Sequence, residues 1–180
     1  MDIKEVNTIR ERLINGNKKY ASSLFSTLET GEALRDYLVE NGQSPYAVVL
    51  ACSDSRVNVE AAFSAGLGEL FVVRSAGNVV LEGELASIAY AVNHLHCPYV
   101  LVLGHTHCGA VHSAIEGVQE EALEPLLHPI KDAIGNEKDA REGERLNVLK
   151  TVSLLKDIFK EGVFIEGAIY ETGSGFVRFL

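Results

Sequence analysis

Two short clusters of side chains carry the sulfur and nitrogen atoms that bind transition metals. The first is Cys52-Ser53-Asp54-Ser55-Arg56, and the second is His105-Thr106-His107-Cys108-Gly109. Two thiolates and one imidazole suit a soft-to-borderline divalent ion, and zinc accepts such ligands in a tetrahedral arrangement. Three protein ligands leave the fourth position open, which is typical of a catalytic zinc site. Taken alone, each cysteine is more simply explained as a small buried hydrophobe, so the prediction depends on the joint presence of both clusters.

Asp54 and Arg56 favour chemistry at this site. Asp54 follows the first cysteine by two residues, so its carboxylate could ligate the metal or accept a hydrogen bond from a water on the metal. The planar guanidinium of Arg56 can hold a carboxylate in a bidentate pair, which favours the second role. An ordinary salt bridge in an exposed loop is the alternative, and it would contribute little.

The segments before the two clusters predict the elements that position them. Residues 46–51, 69–74 and 99–104 are short apolar runs rich in β-formers, and continuous runs of this kind indicate buried parallel strands. Residues 84–95 have a helical pattern of the length needed for a crossover connection. In an open α/β sheet, ligands bind at the carboxyl ends of the strands, where both clusters are placed by this prediction.

The remaining segments complete one domain over residues 1–180. Residues 3–41 show two amphipathic helical patterns, and residues 109–117 and 118–161 show further helical patterns. The pattern of residues 163–180 predicts a hairpin. We therefore predict an α/β fold with a central, mostly parallel sheet of four strands and an antiparallel C-terminal edge strand. Helices flank the sheet, and a helical arm over residues 1–41 precedes a zinc-binding core over residues 46–180.

The composition restricts the classes of partner. The chain has 180 residues, 47% of them hydrophobic, and 16 basic against 25 acidic residues give a net charge of −9. Such a charge repels nucleic acids and anionic lipids, and no apolar stretch approaches the ~18 residues of a membrane span. We expect a cytoplasmic protein without nucleic-acid or membrane partners. Residues 115–147 hold nine acids and four bases, and we expect these charges on a solvated face.

The two clusters and their surroundings resemble the β-class carbonic anhydrases. The likeness rests on Cys52-Ser53-Asp54-Ser55-Arg56 and on His105 and Cys108 within residues 104–111, and it extends through residues 68–78, 87–92 and 167–170. It implies one Zn²⁺ per chain on Cys52, His105 and Cys108. It also implies that Asp54 and Arg56 form the catalytic dyad that orients a water on the zinc.

The resemblance further implies a set of substrate-binding residues. Gln43 matches a glutamine that reaches the substrate, carbon dioxide or bicarbonate, from the partner subunit. Phe71, Ala76 and Tyr90 fall where the family lines its small apolar pocket for carbon dioxide, and Gly109 is a further expected substrate-binding residue. Members of the family form homo-oligomers, dimers or tetramers, in which the amino-terminal helices wrap around the neighbour. The predicted helical arm is consistent with a homodimer of this kind.

The expected function is zinc-dependent, reversible hydration of carbon dioxide to bicarbonate and a proton, which is a lyase activity. Hydrolysis of carbon disulfide or carbonyl sulfide on the same zinc site is one alternative, and a non-catalytic zinc-binding module is another. One subgroup of the family closes its site at low pH with a bicarbonate site built partly from tryptophan. This chain has no tryptophan and carries Val49 at the matching position, although Arg74 is present. We therefore expect a site that is open at neutral pH.

Overall fold

A five-stranded mixed sheet forms the centre of the computed structural model, which describes residues 2–23 and 28–180. The strands are β1 (Ala47–Cys52), β2 (Leu70–Ser75), β3 (Tyr99–His105), β4 (Phe164–Tyr170) and β5 (Val177–Phe179). Their order across the sheet is β2-β1-β3-β4-β5. The first four are parallel and β5 is antiparallel to β4, which confirms the predicted fold class.

The helices in the described residues are α1 (Ile3–Ala21), α2 (Glu32–Asn41), α3 (Val59–Ala62), α4 (Glu82–Asn93), α5 (Gly109–Ile115), α6 (Glu124–Ile134) and α7 (Ala140–Ile158). The region predicted as helical over residues 118–161 contains two main helices, because α6 ends at Ile134 and Gly135 follows with a φ of +58°. The Asp139 side chain then accepts a hydrogen bond from the Glu142 amide and caps the start of α7. Among the described helices, none combines the length and apolarity that a bilayer crossing requires.

Helices cover both faces of the central strands. On one face, Leu13 of α1 packs with Val49 of β1 and Leu101 of β3 in one apolar cluster. On the other face, Ile88 of α4 and Val148 of α7 pack with the alternate side chains of the same strands. Every residue of β1 and β3 is buried, as the continuous apolar runs predict.

Strand β2 differs from the prediction of full burial. Its first three residues are only half-buried and Arg74 is exposed. The physical reason is its place at the edge of the sheet, where β1 is its only hydrogen-bonded neighbour among the described strands. An edge strand presents one side to solvent unless another element or another chain covers it.

The predicted amino-terminal arm divides into two parts with different packing. Val6, Ile9 and Leu13 bury one side of α1 against its own sheet, whereas α2 buries no residue. On α2, Tyr37 is 60% and Val39 is 86% exposed. Residues 1 and 24–27 of the predicted arm lie outside the described residues.

Candidate metal centre

The three predicted zinc ligands lie together at the carboxyl edge of the sheet. Cys52 ends β1 and His105 ends β3, and these strands are direct neighbours in the sheet. Cys108 follows three residues after His105, at the start of α5. The ligand atoms of the three residues all lie within 4.8 Å of one another, and all three residues are buried. The parallel topology therefore brings the two sequence clusters into one group of donors.

The hydrogen bonding of His105 fits a metal ligand. Its Nδ1 lies 3.0 Å from the carbonyl oxygen of Thr106, which assigns the proton to Nδ1 and leaves a lone pair on Nε2. Nε2 is buried and has no hydrogen-bond partner among the described residues. A buried polar atom without a partner costs about 1–3 kcal/mol, and coordination of a metal at Nε2 removes that penalty. The donor set of one imidazole and two thiols is one that zinc prefers.

The thiols of Cys52 and Cys108 influence each other's ionisation. The neighbouring Cys108 thiol lowers the pKa of Cys52 well below that of an ordinary thiol. The neighbouring Cys52, together with burial, raises the pKa of Cys108 well above its ordinary range. The amide of Gly77 also donates to Cys52 Sγ at 3.2 Å. Because metals are bound by thiolates rather than thiols, two adjacent buried cysteines are suited to a divalent cation.

Asp54 and Arg56 form the bidentate pair that the sequence predicts. Arg56 Nε donates to Asp54 Oδ1 at 2.9 Å and Arg56 Nη2 donates to Asp54 Oδ2 at 2.7 Å. These bonds hold the pKa of Asp54 well below its usual range. Asp54 Oδ2 lies 3.9 Å from His105 Nε2, and the Asp54 side chain is only 17% exposed. The carboxylate is therefore held ionised beside the ligand cluster.

Two arginines tie the Cys52 loop to its surroundings. Arg56 Nη2 also donates to the carbonyl oxygen of His107 at 2.9 Å, which joins the loops that carry Cys52 and Cys108. Arg74 donates to the carbonyl oxygens of Cys52 and Asp54, each at 2.9 Å from Nη2. The family resemblance implies for Arg74 only a part in a bicarbonate site. In the structure its guanidinium holds the backbone of the loop that carries the dyad.

The structure places Gln43 away from the cluster of its own chain. Gln43 is exposed and precedes the amino end of β1, whereas Cys52 ends that strand. The six residues of β1 span roughly 16 Å at about 3.3 Å per residue. One side chain cannot bridge that length, so Gln43 does not contribute to the site on its own chain.

The other four predicted substrate-binding residues fall into two pairs. Ala76 follows β2 beside Gly77, and Gly109 follows Cys108, so both lie at the cluster. Phe71 pairs in register with Val48, four residues before Cys52 along the sheet. The rings of Phe71 and Tyr90 lie 6.4 Å apart, and Tyr90 is 49% exposed. Phe71 and Tyr90 therefore form a surface patch that is separate from the ligand cluster of the same chain.

Two buried polar residues of α7 that support the cluster were missed by the sequence analysis. Glu144 accepts a hydrogen bond from the Cys108 amide, and Asn147 donates to the Gly77 carbonyl oxygen. Glu144 is 4% exposed, so the expectation that the acids of residues 115–147 lie on a solvated face is wrong for this residue. The available signal was helical spacing, because residues 144, 147 and 148 belong to the same face as Val152 and Leu155.

Comparison with known proteins gives consistent similarities. The family model described as carbonic anhydrase matches residues 47–177. Carbonic anhydrase 2 of Mycobacterium tuberculosis is 49% identical over 82 residues, which cover 46% of this chain and 40% of that protein. The matched region therefore spans less than half the length of that relative.

Solved structures are similar over most of the chain. A tetrameric β-carbonic anhydrase from Sordaria macrospora has a TM-score of 0.68 and 27% identity, covering 82% of this chain and 91% of that chain. The β-carbonic anhydrase CafA of Aspergillus fumigatus has a TM-score of 0.69 and 26% identity, covering 95% of this chain and 90% of that chain. The family model, the sequence relatives and the fold agree, and this chain belongs to the β-class carbonic anhydrase family.

Proposed function

We propose that this protein is a carbonic anhydrase that catalyses the zinc-dependent, reversible hydration of carbon dioxide to bicarbonate and a proton. The observation that carries the proposal is the Asp54 carboxylate, which Arg56 holds ionised beside the cluster of Cys52, His105 and Cys108. A site that only bound zinc for structural support would not need this pair. Family membership supports the same activity.

Cys52, His105 and Cys108 would hold one Zn²⁺ per chain. When bound, zinc lowers the pKa of a coordinated water to about 7 and so supplies a nucleophile at neutral pH. The two thiolates offset the charge of the dication, so the buried cluster carries little net charge.

Asp54 and Arg56 orient the attacking water. Asp54 Oδ2 faces the cluster and can accept a hydrogen bond from that water, which aims an oxygen lone pair at the carbon of the substrate. Arg56 keeps the carboxylate ionised and fixes its plane through two side-chain hydrogen bonds. Carbon dioxide is small and uncharged, so the small residues Ala76 and Gly109 beside the cluster suit its approach.

A homo-oligomer completes the site in this proposal. Gln43, Phe71 and Tyr90 lie away from the cluster of their own chain, so a role for them in substrate binding requires a second copy. The solvent-exposed α2 and the half-buried edge strand β2 are surfaces that a second copy can cover. A homodimer is the smallest assembly with this property. A cytoplasmic location stays a prediction from composition.

Stopped-flow hydration of carbon dioxide on protein of measured metal content tests the function. We expect activity in proportion to bound zinc, loss of activity on chelation and recovery when zinc is returned. A zinc-loaded protein without hydration activity would contradict the proposal. If the same preparation hydrolysed carbon disulfide or carbonyl sulfide faster than it hydrated carbon dioxide, that compound would be the preferred substrate instead.

Mixing two inactive variants tests the shared site. In a mixture of Gln43→Ala and Asp54→Asn protein, a hybrid dimer has one protomer of each kind. If Gln43 acts across the interface, the site of the Gln43→Ala protomer keeps its own Asp54 and receives the intact Gln43 of its partner, so one of the two sites is complete. Random reassociation of such a two-fold dimer should then restore about a quarter of wild-type activity. If Gln43 acts within its own chain, the mixture stays inactive.

A further inference from the structure

The buried face of α7 carries polar side chains in a position where apolar ones are expected. Glu144 is 4% and Asn147 is 3% exposed, and they lie one turn apart on the same side of the helix. Glu144 Oε2 has no hydrogen-bond partner among the described residues. A buried polar atom without a partner is costly, so a compensating role for this side chain is expected.

Glu144 contacts the loop that carries the second cysteine ligand. Its Oε1 accepts a hydrogen bond from the backbone amide of Cys108 at 3.1 Å. This amide lies at the start of α5, where backbone N–H groups have no partner within the helix. The Glu144 side chain therefore determines where the backbone of Cys108 lies relative to α7.

Asn147 contacts the loop that supports the first cysteine ligand. Its Nδ2 donates to the carbonyl oxygen of Gly77 at 2.8 Å, and the amide of Gly77 donates to Cys52 Sγ at 3.2 Å. Gly77 has a φ of +69°, and a Cβ at this position would lie 2.7 Å from Ile130 Cδ1. The chain of contacts from Asn147 to the sulfur of Cys52 thus passes through one constrained residue.

The close approach of α7 to the sheet makes both contacts possible. A Cβ at Gly104 would lie 2.4 Å from Val148 Cγ2, so the helix packs directly on the backbone of β3 next to His105. Val148 and Leu155 of α7 are fully buried against the sheet. One rigid helix is therefore in contact with both loops of the metal centre.

We propose that Glu144 and Asn147 are positioning residues for the metal centre, each acting on one cysteine ligand from the same helix. The inference deepens the proposed function, because it assigns these two residues to the site that would hold zinc. Outer groups that orient metal ligands typically contribute 10–100-fold to metal affinity or activity. The spacing of the two sulfurs then depends on the integrity of α7 as well as on the strands.

Metal binding by variants of α7 tests the inference. Glu144→Ala and Asn147→Ala should each weaken zinc affinity by about 10–100-fold in competition with a chromophoric chelator. They should also shift the thiolate-to-cobalt absorption of the Co²⁺-loaded protein. Glu144→Gln keeps an acceptor oxygen and should restore most of the affinity. Val152→Ala is the matched control, since it removes buried atoms from the same helix away from both loops.

The outcomes separate this inference from the proposed function. We expect Val152→Ala to lower thermal stability without changing zinc affinity or the cobalt spectrum. Wild-type affinity and spectra in both alanine variants, or an equal loss of affinity in Val152→Ala, would overturn the inference while leaving hydration activity in place. A wild-type protein that binds zinc but does not hydrate carbon dioxide would overturn the proposed function, and weakened zinc binding by the two variants would then still support the positioning role.

Discussion

Replacing Asp54 with asparagine separates the dyad from the metal ligands. The carboxylate accepts from the amide and Nε of Arg56 through Oδ1 and from Nη2 through Oδ2. An asparagine can present an acceptor to only one of these two sides. If its amide nitrogen replaces Oδ2, it faces Nη2 at about the present 2.7 Å with a donor against a donor. If the amide turns over, the clash moves to the other two donors.

The expected loss of activity follows from this geometry. Asp54→Asn removes the charge beside the cluster. In one of its two orientations it also removes the acceptor at Oδ2, the oxygen that lies 3.9 Å from His105 Nε2. A positioned group that accepts or orients a reacting hydrogen typically contributes 10²–10⁴-fold, so we expect kcat/KM to fall by about that factor. The three ligand atoms are unchanged, so the protein should still bind one zinc per chain.

Stopped-flow hydration and metal analysis of the same preparation measure both effects. Glu60→Gln is the matched control, because it makes the same acid-to-amide change at an exposed residue of α3 that forms no ion pair in the described structure. Near-wild-type kcat/KM for Asp54→Asn at full zinc content would refute the role of the dyad. Loss of zinc from this variant would instead show that Asp54 contributes to metal binding.

Three further outcomes are expected from other residues. Cys108→Ser should lose most of its zinc by elemental analysis while Cys97→Ser keeps it, because Cys97 lies in the core away from the cluster; equal zinc content in both would contradict the ligand assignment. Gly77→Ala should lower the free energy of unfolding in urea by about 2 kcal/mol or more, since it combines a positive φ with an overpacked site. Gly83→Ala, which has open space around it, should not be destabilising. Burial raises the pKa of Cys97 from 9.0 to about 11. At pH 8 the thiolate fraction of Cys97, and with it the rate at which Cys97 is alkylated in the native protein, should therefore be about 100-fold lower than for an ordinary thiol. Rapid labelling of Cys97 without unfolding would contradict this.

The fold was predictable to the extent that local patterns specify it. The apolar runs before Cys52 and His105 became adjacent parallel strands, because strands covered on both faces require continuous apolar sequence. The full burial predicted for β2 is wrong, because an apolar run does not show whether its strand lies at the edge or in the centre of the sheet. The order of strands is a property of tertiary packing, which no single segment encodes.

Only part of the candidate site was predictable from the sequence, as for the fold. The cluster of Cys52, His105 and Cys108 and the pair of Asp54 and Arg56 were identifiable because their chemistry is local and their residue types are specific. The burial of Glu144 is not predictable from the composition of residues 115–147, because composition does not show which side of the helix faces the sheet. The hydrogen bond from the Cys108 amide is made across 36 residues of sequence.

The sequence by itself determined the donor atoms, the dyad and the α/β class, since residue chemistry and hydrophobic periodicity depend on neighbours along the chain. Only the tertiary structure decided which residues share a site. It placed Cys52 beside His105, brought α7 to both loops, and set Gln43 at the opposite end of β1 from the cluster. The physical reason is that spatial proximity here arises from strand order and helix packing, which depend on contacts between residues far apart in sequence.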